Sequence, residues 1–408
     1  MSRTKENQVG YQKPLMREND KHTEEQSMPS FTTGASEGVS LGEEKVARSF
    51  KPRQIGGLLA FLGIFILSIF IVTEGSRSLG TELADQLVHI TANPFISLFI
   101  GILATALIQS SSTTTTLIVS LVAVGTLSPS EAIPLILGAN IGTAVTSTLV
   151  ALGYIGDKEE FEKAVASASL HDLFNIFTTL ILFVIEVSTR ALSDFAWKIA
   201  RLLPRLDSSL EQSNYAISRA AQQAVQLFGD NSWLSLLLGL CLLFASLRGM
   251  TWLLKTGIST RLEHNLNKYI FERPLNSFLA GTGTTFVVQS SSVMTSLMVP
   301  LAASGKVRLS QLFPFIMGAN LGTTSTALIA ALLSPAASAQ SAIGVACVHV
   351  LFNLTGVLIF LPFRSLRAIP IRIAAQLGKW SRLNRMYGVF YVVLVFFGLP
   401  FLLIVLSR

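Results

Sequence analysis

The chain has 408 residues, of which 50% are hydrophobic and only 13% are charged, and its mean hydropathy is +0.55. Soluble domains carry about a quarter charged residues, so this composition excludes an ordinary soluble enzyme and favours several membrane crossings. The two cysteines lie in apolar runs and provide no disulfide framework or metal site. The formal net charge of +7 suits basic cytoplasmic loops better than a nucleic-acid surface.

In chain order, residues 1–50 are polar without apolar periodicity, which predicts a disordered cytoplasmic tail. The run 55–73 is then long enough to cross a bilayer as a helix. Further apolar segments follow at 94–125, 130–153, 167–189, 233–254, 276–303, 311–333, 341–363 and 386–406. Blocks of Ser and Thr interrupt the segments 94–125 and 276–303 near their middle. Each of these two segments is therefore predicted to form two half-helices.

The second half of the chain repeats motifs of the first. The block Gln109–Ser112 reads Gln-Ser-Ser-Ser and recurs at Gln289–Ser292, an offset of 180 residues (289 − 109). A Gly-Ala-Asn-x-Gly-Thr block at Gly138–Thr143 recurs at Gly318–Thr323 with the same offset. A His-x-x-Phe-Asn motif recurs at a nearly equal offset, first at His171 to Asn175 and then at His349 to Asn353. Several matched blocks in one register indicate two homologous halves.

We predict a transmembrane repeat at 55–206, an extracellular linker at 207–234, a second repeat at 235–386 and an extra C-terminal transmembrane helix at 387–408. If each Ser-rich segment is a re-entrant hairpin, three full spans separate the hairpins, and this odd number places them on opposite membrane faces. The predicted fold is therefore an all-α polytopic membrane protein with two inverted-topology repeats, each with a re-entrant Ser-rich helical hairpin. Basic loops at 255–273 and 364–385 fall on the side of the N-terminus, which predicts a cytoplasmic N-terminus.

The Ser-rich blocks are the predicted binding site. A half-helix that starts inside the membrane presents unpaired N–H groups to an anion, and amide and hydroxyl oxygens can ligate a cation. No Lys or Arg lies between Pro94 and Gly156, and only the connector residues Lys306 and Arg308 are basic between 275 and 363. We therefore expect an anion to be bound without an arginine, its charge offset by helix ends, hydroxyls and bound cations.

Asp172 lies near the start of an apolar run, and the equivalent residue of the second half is Val350. An intramembrane acid is a candidate functional group, so this asymmetry predicts a cation site in one half only; an interfacial cap is the alternative. The Ser and Thr blocks have a packing alternative, because such side chains also bond to helix carbonyls. His171 and His349 are expected to satisfy hydrogen bonds rather than bind metal, and the glycines of the repeated Gly-Ala-Asn blocks are expected to serve helix packing.

These doubled motifs, with the loop Gly156-Asp157-x-x-x-Phe161, resemble the type II sodium-dependent phosphate cotransporters over about 95–200 and 275–365. The resemblance, to a bacterial-type member, implies sodium-coupled import of inorganic phosphate by alternating access across the plasma membrane (the inner membrane of a Gram-negative cell). It implies no enzyme activity, no cofactor besides the transported sodium ions and no transition metal. Asp172 implies electrogenic transport, with three sodium ions per divalent phosphate.

The resemblance also implies a set of ligands. Substrate contacts are expected from Gln109, Ser110, Ser111, Ser112, Thr113, Asn140, Gln289, Ser290, Ser291, Ser292 and Asn320. Sodium contacts are expected from Gln109, Ser112, Thr143, Asp172, Asn175, Gln289, Ser290, Thr323 and Asn353. Two other functions stay open: a sodium-coupled carrier of another oxyanion such as sulfate, and, less favoured, a passive channel.

Overall fold

The computed structural model describes residues 52–78, 91–203, 219–226, 231–265, 270–334 and 339–407. All of them belong to one compact unit, Phe50–Arg408. The described residues are almost entirely helical and include no β-strand. The predicted tail at 1–50 and most of the predicted linker at 207–234 lie outside the described residues.

The first half forms a long helix, a helical hairpin, a broken helix, a long helix and a short amphipathic helix. In chain order these are α1 (Pro52–Ser78), α2 (Pro94–Ile108), α3 (Ser111–Ala123), α4 (Pro129–Gly142), α5 (Val145–Leu152), α6 (Lys158–Thr189) and α7 (Ala191–Leu202). We call α2 and α3 the first hairpin.

The second half follows a similar order, with one unbroken helix in place of α4 and α5, and adds a C-terminal helix. Its elements are α8 (Ser232–Asn265), α9 (Pro274–Val288), α10 (Ser291–Ala303), α11 (Leu309–Leu332), α12 (Ala339–Phe360), α13 (Arg364–Leu383), α14 (Met386–Val393), a π-helical turn (Leu394–Gly398) and α15 (Leu399–Leu406). We call α9 and α10 the second hairpin.

Five stretches of described helix are long and apolar enough to cross a membrane. They are Pro129–Leu152, Lys158–Thr189, Leu309–Leu332, Gln340–Phe360 and Met386–Leu406. Five further helical stretches are apolar but shorter. They are α2, α3, α10 and the central parts of α1 and α8. The prediction of an all-α polytopic membrane protein is confirmed.

Repeated glycines let the hairpins pack closely on the helices that follow them. A Cβ added at Gly138 of α4 would overlap the carbonyl oxygen of Leu98 in α2. The equivalent Gly318 of α11 meets the carbonyl oxygen of Phe278 in α9 in the same way. These positions accept only glycine because backbone touches backbone, which confirms the predicted packing role.

The prediction of a basic loop at 364–385 is wrong, because most of it forms the helix α13. Its small residues Pro370, Ala374, Gly378 and Ser381 are buried, and Gly378 lies against the carbonyl oxygen of Glu162 in α6. These small residues recur every three to four positions, as on one face of a helix. The arginines between them, and the proline among them, obscure this pattern in the sequence.

Candidate functional site

Both Gln-Ser-Ser-Ser blocks break their hairpin at the same residue. Gln109 ends α2 with φ 56° and ψ 27°, and Gln289 ends α9 with φ 56° and ψ 26°. Residues other than glycine rarely adopt this left-handed backbone conformation. The following serines are extended, with φ −150° at Ser110 and −152° at Ser290. The predicted half-helices are therefore present, with near-identical breaks in the two halves.

The serines of the breaks cap the second half-helix of each hairpin. Ser110 Oγ accepts a hydrogen bond from the backbone N–H of Thr113 at 3.2 Å, and Ser290 Oγ accepts one from Val293 at 3.4 Å. Serine is a favoured N-cap because it satisfies one of the four N–H groups that a helix start leaves unpaired. The remaining N–H groups and the helix dipole make each of these helix starts attractive to an anion.

Hydrogen bonds between the halves bring the two breaks together. Ser112 Oγ donates to the carbonyl oxygen of Gln289 at 3.1 Å and lies 3.2 Å from Thr323 Oγ1. The equivalent Ser292 Oγ lies 3.4 Å from the carbonyl oxygen of Thr143. Residues 177 and 149 positions apart in the sequence thus meet in the centre of the protein.

A cavity of about 390 Å³ opens at this meeting point, and we call it the central cavity. Both breaks contribute the polar part of its wall, and α8 contributes an aromatic and cationic part. The lining residues are Gln109, Ser110, Ser112, Thr146, Val150, Phe244, Leu247, Arg248, Trp252, Gln289, Ser290, Ser292, Val293 and Ser296.

Polar groups in this wall differ in how far they are paired. Gln289 is held by α11, since its amide nitrogen donates to Ser325 Oγ at 3.1 Å and its amide oxygen accepts from Thr326 Oγ1 at 2.5 Å. The equivalent pair of the first half, Gln109 and Thr146, makes no such side-chain bond among the described residues. Thr146 Oγ1 and Ser296 Oγ are shielded from solvent yet unpaired. Buried polar groups are rarely left unpaired, so the central cavity offers donors and acceptors to a ligand.

The expectation of a site without a basic side chain rested on the two hairpin regions, and the structure adds Arg248 of α8 to the wall of the central cavity. Its guanidinium carbon lies 5.8 Å from the ring centre of Phe244, which also lines the cavity. A cation–π contact of this kind favours this orientation of the arginine. The sequence does contain a hint to this position, because Arg248 is the single arginine in the apolar run 233–254. Charged residues inside membrane segments usually face a water-filled cavity.

The asparagines of the repeated blocks lie in a buried network rather than in the cavity wall. Asn140 Oδ1 is 3.2 Å from His349 Nε2 and accepts from Asn353 Nδ2 at 3.2 Å. In the mirrored arrangement, Asn320 Oδ1 is 2.7 Å from His171 Nε2, and Asn320 Nδ2 donates to Asn175 Oδ1 at 3.0 Å. Each half thus hydrogen-bonds the His-x-x-Phe-Asn motif of the other half. The histidines take part in hydrogen bonds, as predicted.

Asp172 is fully buried and separate from the cavity wall. Thr148 of α5 lies with its Oγ1 3.4 Å from both carboxylate oxygens. The equivalent residues of the second half are apolar, Val350 and Leu328. A buried carboxylate is costly without a compensating partner, so this position suits a cation in the first half only.

The predicted ligands therefore fall into three groups. Those that line the central cavity are Gln109, Ser110, Ser112, Gln289, Ser290 and Ser292. Those buried behind its wall are Ser111, Thr113, Asn140, Thr143, Asn175, Ser291, Asn320, Thr323 and Asn353. Asp172 is the third, with Thr148 beside it. Ser111 and Thr113 form the first turn of α3, and Thr113 Oγ1 bonds with Ser110 Oγ at 2.8 Å.

Comparison with known proteins agrees with this architecture. The family model described as Na+/Pi-cotransporter matches residues 53–207 and 242–403. Sodium-dependent phosphate transport protein 2A of Ovis aries is 31% identical over 430 residues, covering 86% of this chain and 67% of that protein. Sodium-dependent phosphate transport protein 2B of Homo sapiens is 30% identical over 439 residues, covering 84% of this chain and 64% of that protein. This chain thus spans about two thirds of the length of these relatives. No solved structure matches it. The chain belongs to the Na+/Pi-cotransporter family.

Proposed function

We propose that this protein imports inorganic phosphate together with sodium ions by alternating access at the plasma membrane, with its N-terminus in the cytoplasm. The observation that carries the proposal is the central cavity, where two helix starts, five serine side chains and one arginine meet between the halves of a Na+/Pi-cotransporter family member. The related 2A and 2B proteins are named as sodium-dependent phosphate transport proteins.

The donors of the cavity suit a tetrahedral oxyanion. Phosphate has four oxygens that accept hydrogen bonds from several directions, and the cavity presents hydroxyls of Ser110 and Ser290 from opposite breaks. The amide of Gln109 and the guanidinium of Arg248 add further donors to the same wall. Arg248 supplies a single positive charge, so sodium ions are still required to balance a divalent anion.

Sodium prefers hard oxygen ligands, which both breaks and the Asp172 position provide. Asp172 with Thr148 forms a candidate cation position without an equivalent in the second half. We propose electrogenic transport with three sodium ions per divalent phosphate, a net movement of one positive charge. The Asp172 carboxylate accounts for the ion that makes the cycle electrogenic.

The different hydrogen bonding of Gln109 and Gln289 suggests how the cavity opens to one side of the membrane and then to the other. In this structure Gln289 bonds to Thr326 and Gln109 is free of Thr146. By the repeat relationship, the opposite state pairs Gln109 with Thr146 and releases Gln289. The two repeats then exchange conformations around a shared binding site, as expected for inverted-repeat transporters.

The test is uptake of radiolabelled phosphate by the purified protein in proteoliposomes. Under the proposal, an inward sodium gradient drives accumulation above the external concentration, and equal potassium gradients do not. A Ser110→Ala/Ser290→Ala variant removes one hydroxyl from each break and is expected to lose most of this uptake. Sodium-independent uptake at the same rate would contradict the coupling.

The two alternatives give different results in the same vesicles. A carrier of another oxyanion predicts that excess sulfate abolishes phosphate uptake, whereas phosphate selectivity predicts little competition. A channel predicts equilibration without accumulation and large unitary currents.

A further inference from the structure

A second cavity, which shares no lining residue with the central cavity, gathers basic side chains from three separate elements. It has a volume of about 420 Å³, and we call it the basic cavity. Lys163 comes from the start of α6, Arg308 from the residue before α11 and Lys379 from α13. Ala302, Val307 and Leu309 give it an apolar floor.

The charge of the basic cavity is largely uncompensated. Glu162 is its only acidic lining residue, and Arg382 already binds that carboxylate at 3.1 Å. Lys163, Arg308 and Lys379 are exposed, and none of them forms an ion pair with any of the described residues. Lys163 acts on the Asp157 carboxylate through space without forming an ion pair. Arg308 and Lys379 converge beside Lys163, so the cavity keeps an excess of positive charge that suits an anionic group.

The helix beside this cavity presents an apolar stripe to the outside. Ile369, Ile373 and Trp380 of α13 are 45%, 43% and 50% exposed, while the small residues on another side of the helix pack against α6. A helix with one apolar stripe, one basic side and a packed inner side lies in the membrane interface. Its apolar stripe therefore adjoins acyl chains at the level of the basic cavity.

We propose that the basic cavity binds an anionic phospholipid. Its phosphodiester group contacts Lys163, Arg308 and Lys379, and its acyl chains follow the apolar stripe of α13. The loops that meet here carry the excess of Lys and Arg, which places the site at the cytoplasmic leaflet, where anionic lipids attract basic pockets between transmembrane helices. The bound lipid joins α6 and α13 to the turn between the second hairpin and α11, and so stabilises their contact.

The experiment titrates the purified full chain in neutral detergent with short-chain phosphatidylglycerol and counts bound lipids by native mass spectrometry. The test variant is Lys163→Gln/Arg308→Gln/Lys379→Gln. The control variant, Lys306→Gln/Arg364→Gln/Arg372→Gln, removes the same charge from exposed residues that do not line the cavity. At about fivefold per cation, the test variant is expected to lose roughly 100-fold in affinity while the control stays near wild type.

One more variant and two more ligands distinguish a lipid site from misfolding, from general surface attraction and from a small-anion site. Lys163→Arg/Lys379→Arg keeps the charge and is expected to retain lipid binding. A melting temperature of the test variant equal to that of the wild type excludes misfolding as the cause of its loss. Phosphatidylcholine is expected to bind no better to the wild type than to the test variant. Equal losses in the test and control variants would overturn the proposal, because they would indicate general surface attraction. Displacement of phosphatidylglycerol by millimolar inorganic phosphate would also overturn it, in favour of a site for a small anion.

Discussion

Arg248 provides the most specific test of the central cavity, because the sequence alone indicated a site without a base. The change is Arg248→Gln, which keeps the length and hydrogen-bonding capacity of the side chain and removes its charge. We expect weaker phosphate binding with an unchanged maximal rate, since the guanidinium lines the cavity and makes no hydrogen bond to either break among the described residues.

The magnitude follows from the size of the cavity. A sphere of about 390 Å³ has a radius of about 4.5 Å, so a bound anion lies about 6 Å from a charge in the wall. Arg248 is exposed, so a water-like dielectric constant of about 80 applies, and a divalent anion gains about 1.4 kcal/mol, or about tenfold in affinity. Physiological salt, with a screening length of about 8 Å, reduces this to about threefold.

The assay is the apparent KM for phosphate in proteoliposomes at saturating sodium and two ionic strengths. We expect Arg248→Gln to raise KM about threefold to tenfold, more at low ionic strength, and Arg248→Lys to stay near wild type. Arg201→Gln serves as the control, because Arg201 is exposed and does not line the cavity. An unchanged KM in Arg248→Gln, or an equal rise in Arg201→Gln, would refute the reasoning.

Three further predictions concern packing, capping and charge movement. Gly138→Ala should lower stability by roughly 1–3 kcal/mol in thermal unfolding, because the added Cβ would overlap backbone atoms. Gly283 faces open space, so Gly283→Ala should leave the stability unchanged. Equal effects of the two changes would argue against the close packing at Gly138. Hydrogen bonds from the backbone N–H of Glu160 and then Glu159 hold the pKa of Asp157 below its ordinary value of 3.8. The stabilisation from this carboxylate is therefore present above pH 3.8 and lost as the pH falls through the lowered pKa. Asp157→Ala should lower the melting temperature at pH 7 but not in strong acid. A melting-temperature difference that is the same at every pH would count against this role of Asp157. Asp172→Asn should reduce the charge moved per phosphate in simultaneous current and uptake measurements, and an unchanged ratio removes Asp172 from the charge-carrying role.

The breaks were predictable from the sequence because their signal is local. A polar block inside an apolar run, with Ser110 and Ser290 as N-caps, determines where each helix must restart. The glycine packing was also visible, since the small-residue spacing within Gly138–Gly142 is a property of a single helix. These features need no knowledge of which helices become neighbours.

The remaining features depend on tertiary neighbours. Arg248 lies in α8, outside both repeated blocks, and only the packing of α8 against the breaks brings it to the cavity. The exchange of partners between Asn140 and His349, and between Asn320 and His171, joins residues 209 and 149 positions apart. Periodicity in the sequence shows which residues share a face of one helix, but not which residues of another helix they contact.

The most direct test of the central claim is a cryo-electron microscopy map of the protein with saturating phosphate and sodium. We expect density for an anion in the central cavity, within hydrogen-bonding distance of Ser110, Ser290 and Arg248. This density should be lost when sodium is replaced by potassium. Anion density at any other place, or in the cavity without regard to sodium, would contradict this claim.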